Sequence, residues 1–127
     1  MPTSLIQWLQ EWYRDNCNGD WEHQHGIDIK TLDNPGWDVA IDLRETELSE
    51  LEIKYELIKK SEDDWYGVSI EKSRYEALGD PTKLELLLET IRQIAESHRQ
   101  GMLMAHLEHA FPGRWQIKKS EESNSAS

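Results

Sequence analysis

Two histidines and one aspartate near the N-terminus are the best candidates for metal chemistry in this chain. His23 and His25 lie within residues 21–31, where apolar and polar residues alternate as in a β-strand. Alternate strand residues project to one side, imidazole is a good zinc ligand, and Asp20 could be a third ligand. The same face would carry the apolar Trp21. This placement is explained equally well if the two histidines are partly buried and hydrogen-bonded rather than metal ligands. Because no CxxC pair accompanies them, we expect neither a metal nor another cofactor.

Covalent catalysis would need an activated nucleophile, and the chain has one cysteine, Cys17. A thiol beside His23 or His25 could be activated by a base. However, Cys17 follows the end of a predicted helix, where the helix dipole does not favour a thiolate. The sequence contains no glycine-rich phosphate loop and no serine-based nucleophile elbow. We therefore expect a protein without enzymatic activity.

The chain of 127 residues carries a formal net charge of −11. Such acidity disfavours nucleic acids and anionic membranes, since phosphate binding needs clustered Lys and Arg. No stretch approaches the roughly 18 consecutive apolar residues of a membrane helix. Residues 1–13 lack the basic segment and cleavage pattern of a secretion signal, and a single cysteine excludes an internal disulfide, so we expect a cytoplasmic protein. Complementary charge favours a basic protein partner, although acidity also serves solubility.

The N-terminal third of the chain has the pattern of a helix followed by a β-hairpin. Residues 4–16 have the spacing of an amphipathic helix, and Gly19 suits the left-handed conformation that ends it. Residues 21–31 and 37–43 alternate as two strands. Turn chemistry between them predicts an antiparallel hairpin whose turn is Asp33, Asn34, Pro35 and Gly36. Both apolar sets share one face only if odd positions oppose odd positions, which requires a three- or five-residue loop, or a bulge.

The rest of the chain adds strands and then helices. Residues 51–58 predict a third strand, with an inner face of Leu51, Ile53, Tyr55 and Leu57, and residues 65–71 predict a fourth. Asp80 and Pro81 favour the start of a long helix, and residues 102–110 favour a shorter one. We predict an α+β fold: an N-terminal helix, an antiparallel β-meander of about four strands, and C-terminal helices packed on one sheet face. Residues 1–119 would form one domain and residues 120–127 a disordered polar tail.

The polar side of the predicted sheet is rich in carboxylates, which could bind a cationic partner. A third strand beside the hairpin would extend this acidic set, which comprises Glu22, Asp28, Asp38, Asp42, Glu52 and Glu56. Strand alternation places Trp65 on the outward side, directly after Asp63 and Asp64. An exposed tryptophan beside acids is suited to anchor a protein interface. A bulge near Gly67 would turn that tryptophan inward instead, and an ordinary solvated sheet face is the alternative for the acids.

Two short segments with fixed spacing, residues 19–23 and 31–37, combine tryptophans with turn residues. The set that stands out is Trp12, Gly19, Asp20, Trp21, Glu22, His23, Gly26, Asp33, Asn34, Pro35, Gly36 and Trp37. In these residues the first third of the chain resembles the immunity protein 53 family. The resemblance implies a small cytoplasmic antidote of a bacterial polymorphic toxin system, which binds and neutralises its toxin without enzyme chemistry. The strand phases assign Trp21 and Trp37 to the core.

Resemblance and charge together favour an immunity protein that blocks the active site of its toxin through an acidic surface. A basic nuclease would be a suitable toxin. One alternative is a small metal-dependent enzyme that uses His23, His25 and Asp20. Another is an interaction module in which a helix face forms a dimer or binds a partner through Met102, Leu103, Leu107 and Phe111. The sequence fits a monomer or a weak dimer, and the resemblance does not extend to the segment after Gly101.

Overall fold

The computed structural model describes residues 4–24 and 26–118, which form an α+β fold. The elements are α1 (Leu5–Asn16), α2 (Trp21–Gln24), β1 (Ile27–Leu32), β2 (Gly36–Asp42), β3 (Leu51–Ser61), β4 (Asp64–Glu71), β5 (Arg74–Gly79), α3 (Leu84–Arg99), α4 (Leu103–Ala110) and β6 (Trp115–Ile117). The predicted fold class and the N-terminal helix are confirmed. The tail predicted at residues 120–127 lies outside the described residues.

One antiparallel sheet of six strands has the order β1-β2-β5-β4-β3-β6. The consecutive strands β3, β4 and β5 form a meander, and β5 joins it to the β1–β2 hairpin. The condition for extending the acidic set, a third strand beside the hairpin, is therefore not met, since β5 and β4 separate β3 from β2. As a result, Glu52 and Glu56 lie far across the sheet from Asp38 and Asp42.

The hairpin follows the predicted register. Ile27 lies opposite Ile41, Ile29 opposite Val39, and Leu32 opposite Gly36, so three residues form the loop. Odd positions oppose odd positions, as the apolar pattern requires. The Asn34–Pro35 peptide bond within the loop is cis.

Residues 21–24 form a helical turn, so the strand predicted from residue 21 is wrong over its first part. The Asn18 side chain accepts hydrogen bonds from the N–H groups of Asp20 and Trp21, at 2.9 Å each. Glu22 in turn accepts from the N–H groups of Asn18 and Gly19, at 2.9 and 2.7 Å. These local bonds between side chain and backbone satisfy groups that a strand would have to pair elsewhere, and they stabilise the turn.

A bulge in β3 reverses the face of its second half. Ile53 pairs with Ile70, but the next pair is Glu56 with Val68, so the register shifts between them. One extra residue exchanges the two faces of a strand. Tyr55 and Leu57, predicted on the inner face, therefore lie on the opposite face, where both are exposed.

Helices cover one face of the sheet. Helix α3 packs over β2 and β5, and α1 packs against α3. The Tyr75 hydroxyl, buried beneath α3, donates a 2.6 Å hydrogen bond to the Leu87 carbonyl. Within the described residues, no helix is both long and apolar enough to cross a membrane.

Helix α3 begins three residues later than the predicted start, at Leu84, and its N-cap residue Lys83 makes no side-chain cap bond. Asp80 instead binds β4 through the Trp65 N–H, at 2.9 Å. In the following helix, Leu107 and Phe111 are buried in the core, whereas Met102 is 57% exposed. The four residues proposed as one docking face on this helix therefore do not share a surface.

Candidate protein-binding surface on the open sheet face

The sheet face that no helix covers, called here the open face, collects side chains from five strands. Paired residues of neighbouring strands lie on the same face, so the register identifies its members. They are Asp28, Lys30 and Leu32 of β1, Asp38, Ala40 and Asp42 of β2, Arg74, Glu76 and Leu78 of β5, Trp65, Gly67, Ser69 and Glu71 of β4, and Glu52, Tyr55, Leu57 and Lys59 of β3. The open face thus combines acids with large apolar side chains.

Five of these residues form what we call the apolar centre: Leu32, Tyr55, Leu57, Trp65 and Leu78. Tyr55 is 43% exposed and Leu57 is 49% exposed. Two glycines, which have no side chain, leave the space that the rings of Tyr55 and Trp65 occupy. A Cβ atom at Gly67 would lie 2.7 Å from Cε1 of Tyr55, so the ring lies directly on the glycine backbone. A Cβ atom at Gly36 would contact Cη2 of Trp65 and Cδ1 of Leu32, each at 3.4 Å, so these two side chains meet above that glycine.

The backbone of Trp65 is held by the buried carboxylate of Asp80. The Trp65 N–H donates to Oδ2 of Asp80 at 2.9 Å, and the Asp80 N–H donates to the Trp65 carbonyl at 3.1 Å. Oδ1 accepts from the Thr82 hydroxyl at 2.6 Å, and Lys83 lies 2.7 Å from Oδ2. Burial opposes ionisation, but the bonds from Lys83, Thr82 and the backbone outweigh it and lower the pKa of Asp80. The tryptophan backbone is therefore held by a charged anchor.

The acids predicted on the hairpin do face away from the helices, but two of them are much less exposed than expected. Asp38 is 8% exposed and Asp42 is 9% exposed. Asp42 is covered by Arg44, whose Nη2 lies 2.9 Å from it. Asp38 lies 3.9 Å from Lys30 and beside Glu76, and burial together with the Asp38 charge raises the pKa of Glu76. Neighbouring side chains therefore screen these carboxylates from solvent.

The remaining predicted acids separate into two groups. Asp28 and Asp63 are exposed, and Asp64 forms a 2.8 Å ion pair with Lys83 near Trp65. Glu52 lies on the open face but binds Gln116 and Lys118, at 2.9 and 3.3 Å.

Two predicted acids do not lie on the open face. Glu22 caps the loop before α2. The hydrogen bond from its own backbone N–H lowers the pKa of Glu22 most, and those from Asn18 and Gly19 add to this effect. Burial opposes them, but the net pKa of Glu22 is lowered. Glu56 lies beyond the β3 bulge on the helix side, 3.2 Å from Arg114. Glu22 leaves the predicted face because residues 21–24 form a helical turn, and Glu56 leaves it because of the bulge in β3.

The residues that carry the family resemblance are mainly structural. Trp21 is fully buried, meets Trp12 edge-on at 5.9 Å between ring centroids, and donates a 3.2 Å hydrogen bond to the Asp42 carbonyl. The Trp37 ring donates to the Pro81 carbonyl at 3.0 Å. Positive φ angles of 92° at Gly19 and 100° at Gly26 require glycine at the two ends of the α2 segment. Asp33, Asn34 and Pro35 form the hairpin loop.

The arrangement proposed for a metal site is not formed. His23 lies on an exposed helical turn rather than on a strand, so it is not placed as a strand neighbour of His25. His25 itself lies outside the described residues, and Asp20 is exposed. Among the residues that the structure describes, no three side chains of His, Cys, Asp or Glu are grouped to hold a metal ion. Cys17 is exposed, and its thiol donates to the Tyr13 carbonyl at 3.2 Å.

Sequence reasoning missed most of the apolar centre. Tyr55 and Leu57 were assigned to the inner face because residues 51–58 read as one strand with unbroken alternation. Leu78 and Glu76 were missed because β5 was not predicted. The mixed sequence of β3 after Ile53, with charged residues on both sides of Tyr55, is the one available sign that its inner face changes.

A model of the immunity protein 53 family matches residues 6–96 of the chain. The match includes all but the first residue of α1, the elements α2 to β5 and most of α3, and it ends before α4 and β6. It also contains the whole apolar centre. Searches of curated proteins and of solved structures find no match. Because the family model covers well over half of the sequence, the chain belongs to the immunity protein 53 family.

Proposed function

We propose that this protein binds a cognate polymorphic toxin in the bacterial cytoplasm and neutralises it through the open face, without enzymatic activity. Membership of the family gives the chain an immunity role. The observation that supports the surface is the apolar centre on the sheet face opposite the helices, in which Tyr55 and Leu57 are exposed and the other three residues are partly exposed.

Aromatic side chains at the centre of a patch are typical energetic anchors of protein interfaces. Trp65 and Tyr55 are suited to this role because the protein fixes them before a partner binds. The glycines below the rings and the Asp80 anchor reduce the conformational freedom that binding would otherwise remove. Leu57 adds an exposed aliphatic contact beside them.

The acids around the apolar centre favour a basic partner. Asp63 is exposed two residues before Trp65, and Asp28 is exposed at the β1 edge of the same face. Together with a net charge of −11, these groups would accelerate encounter with a positively charged toxin. A nuclease with a basic substrate cleft fits this description, and occupation of that cleft would block its substrate. Association should then slow as salt increases, because exposed charges are screened.

A pair of identical substitutions tests the surface. Leu57→Ala removes an apolar contact from the open face, where Leu57 is 49% exposed, whereas Leu86→Ala removes one from α3 on the helix side, where Leu86 is 38% exposed. Binding to the toxin encoded beside this protein should weaken about tenfold or more for Leu57→Ala and less than twofold for Leu86→Ala. Trp65→Ala should have a larger effect than Leu57→Ala.

Growth rescue during co-expression with the toxin measures the function, and titration calorimetry measures the affinity. If the wild-type protein neither rescues growth nor binds that toxin, neutralisation of this toxin is refuted. If it binds but the two leucine variants are equal to each other, the toxin binds a different surface.

A further inference from the structure

Strand β1 is an open edge of the sheet whose polar backbone groups are available to another strand. The Asp42 N–H donates to the Gly26 carbonyl at 3.0 Å, and these two residues continue the β1–β2 register. Hydrogen-bonded pairs alternate along an antiparallel ladder. Asp28, Lys30 and Leu32 therefore bond to β2, whereas three other residues direct their N–H and C=O groups away from the sheet. These residues, called here the edge residues, are Ile27, Ile29 and Thr31.

Nothing in the described part of the chain covers this edge. Residues 28–31 are all exposed, and Ile29 is 39% exposed although it lies on the side of the sheet that carries the helices. The helix layer thus ends before it reaches the middle of β1. The strand has six residues and no proline, and such an edge is a template for pairing with another strand. The opposite edge, β6, has three residues.

We propose that β1 pairs with β1 of a second copy of this chain, antiparallel and centred on Ile29. In this register Ile29 opposes Ile29 of the second copy, and Ile27 opposes its Thr31. Every edge residue then meets another edge residue, so all their outward N–H and C=O groups find partners. The two sheets join into one, with both helix layers on the same side because odd positions oppose odd positions.

The side chains of β1 are self-complementary in that register alone. Asp28 comes to lie opposite Lys30 of the second copy, and Lys30 opposite its Asp28, which gives two pairs of opposite charge. Asp28 has no ion-pair partner among the described residues, and Lys30 is 63% exposed at its side chain. Registers centred on Asp28 or Lys30 would place two like charges directly opposite each other. Charge complementarity therefore selects a second copy as the occupant of this edge.

The interface consists of two short strands, well below the roughly 1,200 Å² of buried surface that stable complexes have. The dimer should therefore be weak and form at high concentration. Pairing leaves the open face uncovered, so the inference does not depend on toxin binding, and it is tested without the toxin.

Proline substitution at the two sheet edges provides a matched comparison. The Lys118 N–H donates to the Glu50 carbonyl at 2.7 Å and continues the β3–β6 register, so the Ile117 N–H points away from the sheet, as does the Ile29 N–H. Proline at either position removes an outward donor and no internal ladder bond. The two side chains are similarly exposed, 39% for Ile29 and 43% for Ile117. Ile29→Pro should weaken dimerisation about tenfold or more, and Ile117→Pro should leave it unchanged.

Sedimentation equilibrium of the full chain, from micromolar to about millimolar concentration, measures this difference. Circular dichroism confirms that both variants fold. If the wild-type protein stays monomeric throughout the range, or if both variants weaken the dimer equally, the proposal is overturned. If Ile29→Pro impairs toxin binding while the wild-type protein stays monomeric, the edge accepts a strand of the toxin, which also overturns it.

Cysteine cross-linking tests the register. In a Cys17→Ser background, Ile29→Cys places two thiols on the symmetry axis, where opposed Cα atoms lie about 5.5 Å apart and can form a disulfide. Lys30→Cys is the control, because its two copies would be displaced along the strands to roughly 8 Å. Under mild oxidation Ile29→Cys should form covalent dimer at least tenfold faster than Lys30→Cys. Equal rates would contradict the proposed register.

Discussion

Replacement of Arg114 by alanine should destabilise the fold strongly, although this residue lies beyond the part of the chain that the family model matches. The guanidinium group fills the bulge of β3. Its Nε and Nη2 donate to the Lys54 carbonyl at 3.1 and 2.8 Å, and Nη2 also donates to the Val68 carbonyl at 3.3 Å. The Lys54 N–H returns a 2.7 Å bond to the Arg114 carbonyl. One side chain thus satisfies backbone groups that the bulge removes from the strand ladder.

The magnitude follows from the two carbonyl groups that would lose a charged donor. A hydrogen bond to a charged group contributes about 1.5–3 kcal/mol. Because the Arg114 side chain is 17% exposed, water would compensate part of the loss, and we expect about 2–4 kcal/mol in the free energy of unfolding. For a domain of this size, that corresponds to a decrease in Tm of roughly 8–16 °C.

Thermal unfolding followed by circular dichroism measures this shift, and Glu56→Gln is the control. Glu56 pairs with Arg114 but is 53% exposed at its side chain, so the ion pair itself should contribute only about 0–1 kcal/mol. A Tm for Arg114→Ala within about 2 °C of the wild-type value would refute the reasoning. It would mean that the segment after α4 does not stabilise the β3 bulge.

Three further substitutions test the roles assigned to other residues. Trp21→Ala should lower the free energy of unfolding by about 3–5 kcal/mol in urea titrations, because the ring is fully buried against Trp12, and a loss below about 1 kcal/mol would contradict its core role. Gly67→Ala should displace the exposed Tyr55 ring and weaken toxin binding about tenfold while the Tm changes little; unchanged affinity would show that the position of Tyr55 is unimportant. Glu76→Gln should stabilise the protein at pH 7 more than at pH 4. The pKa of Glu76 in the folded protein is raised above 4.5, so the unfolded state releases this proton at a lower pH than the folded state does. Wild-type stability therefore falls as the pH rises from the unfolded to the folded pKa of Glu76. An equal effect of the substitution at both pH values would contradict the raised pKa.

The hairpin was predictable because a single strong pattern determines it. Alternation in residues 21–31 and 37–43 indicates which residues face the core, and that constraint predicted a loop of three or five residues, or a bulge; the loop has three. The amphipathic helices were predictable for the same reason. In each case the spacing of the apolar residues defines one clear face.

Strand β5 was not predictable because its inward residues are weak signals. Tyr75, Ala77 and Gly79 face the helices, and two of these three side chains are small. The turn before the strand places Lys72 and Ser73 at φ angles of 54° and 59°, which are usually occupied by Gly or Asn. The order of the sheet depends on this strand, so the missed strand also led to the wrong neighbour for β2.

The open face could be predicted only in part, because it depends on two local events with little sequence signal. Trp65 has the outward phase that its position in the chain indicates. Tyr55 joins it because one residue is inserted in β3, and Glu22 leaves the acidic set because Asn18 and Glu22 close a helical turn. Local bonds from two side chains form the helical turn, whereas the bulge depends on contacts with distant residues such as Arg114. Alternation alone reveals neither event.

The family motif and the proposed binding surface are physically connected through Gly36. On the helix side the motif contributes the buried Trp21, and its turn closes the hairpin that places Val39 and Ile41 in the core, so the motif segments first build the fold. On the other side, Gly36 leaves the space above it to Trp65 and Leu32, and a Cβ atom there would collide with the Gly79 carbonyl on β5. A side chain at position 36 would therefore separate β2 from β5 and displace Trp65 together. The glycine before Trp37 thus supports both the sheet and the apolar centre, which explains how a structural motif can determine the shape of a surface to which it contributes few exposed side chains.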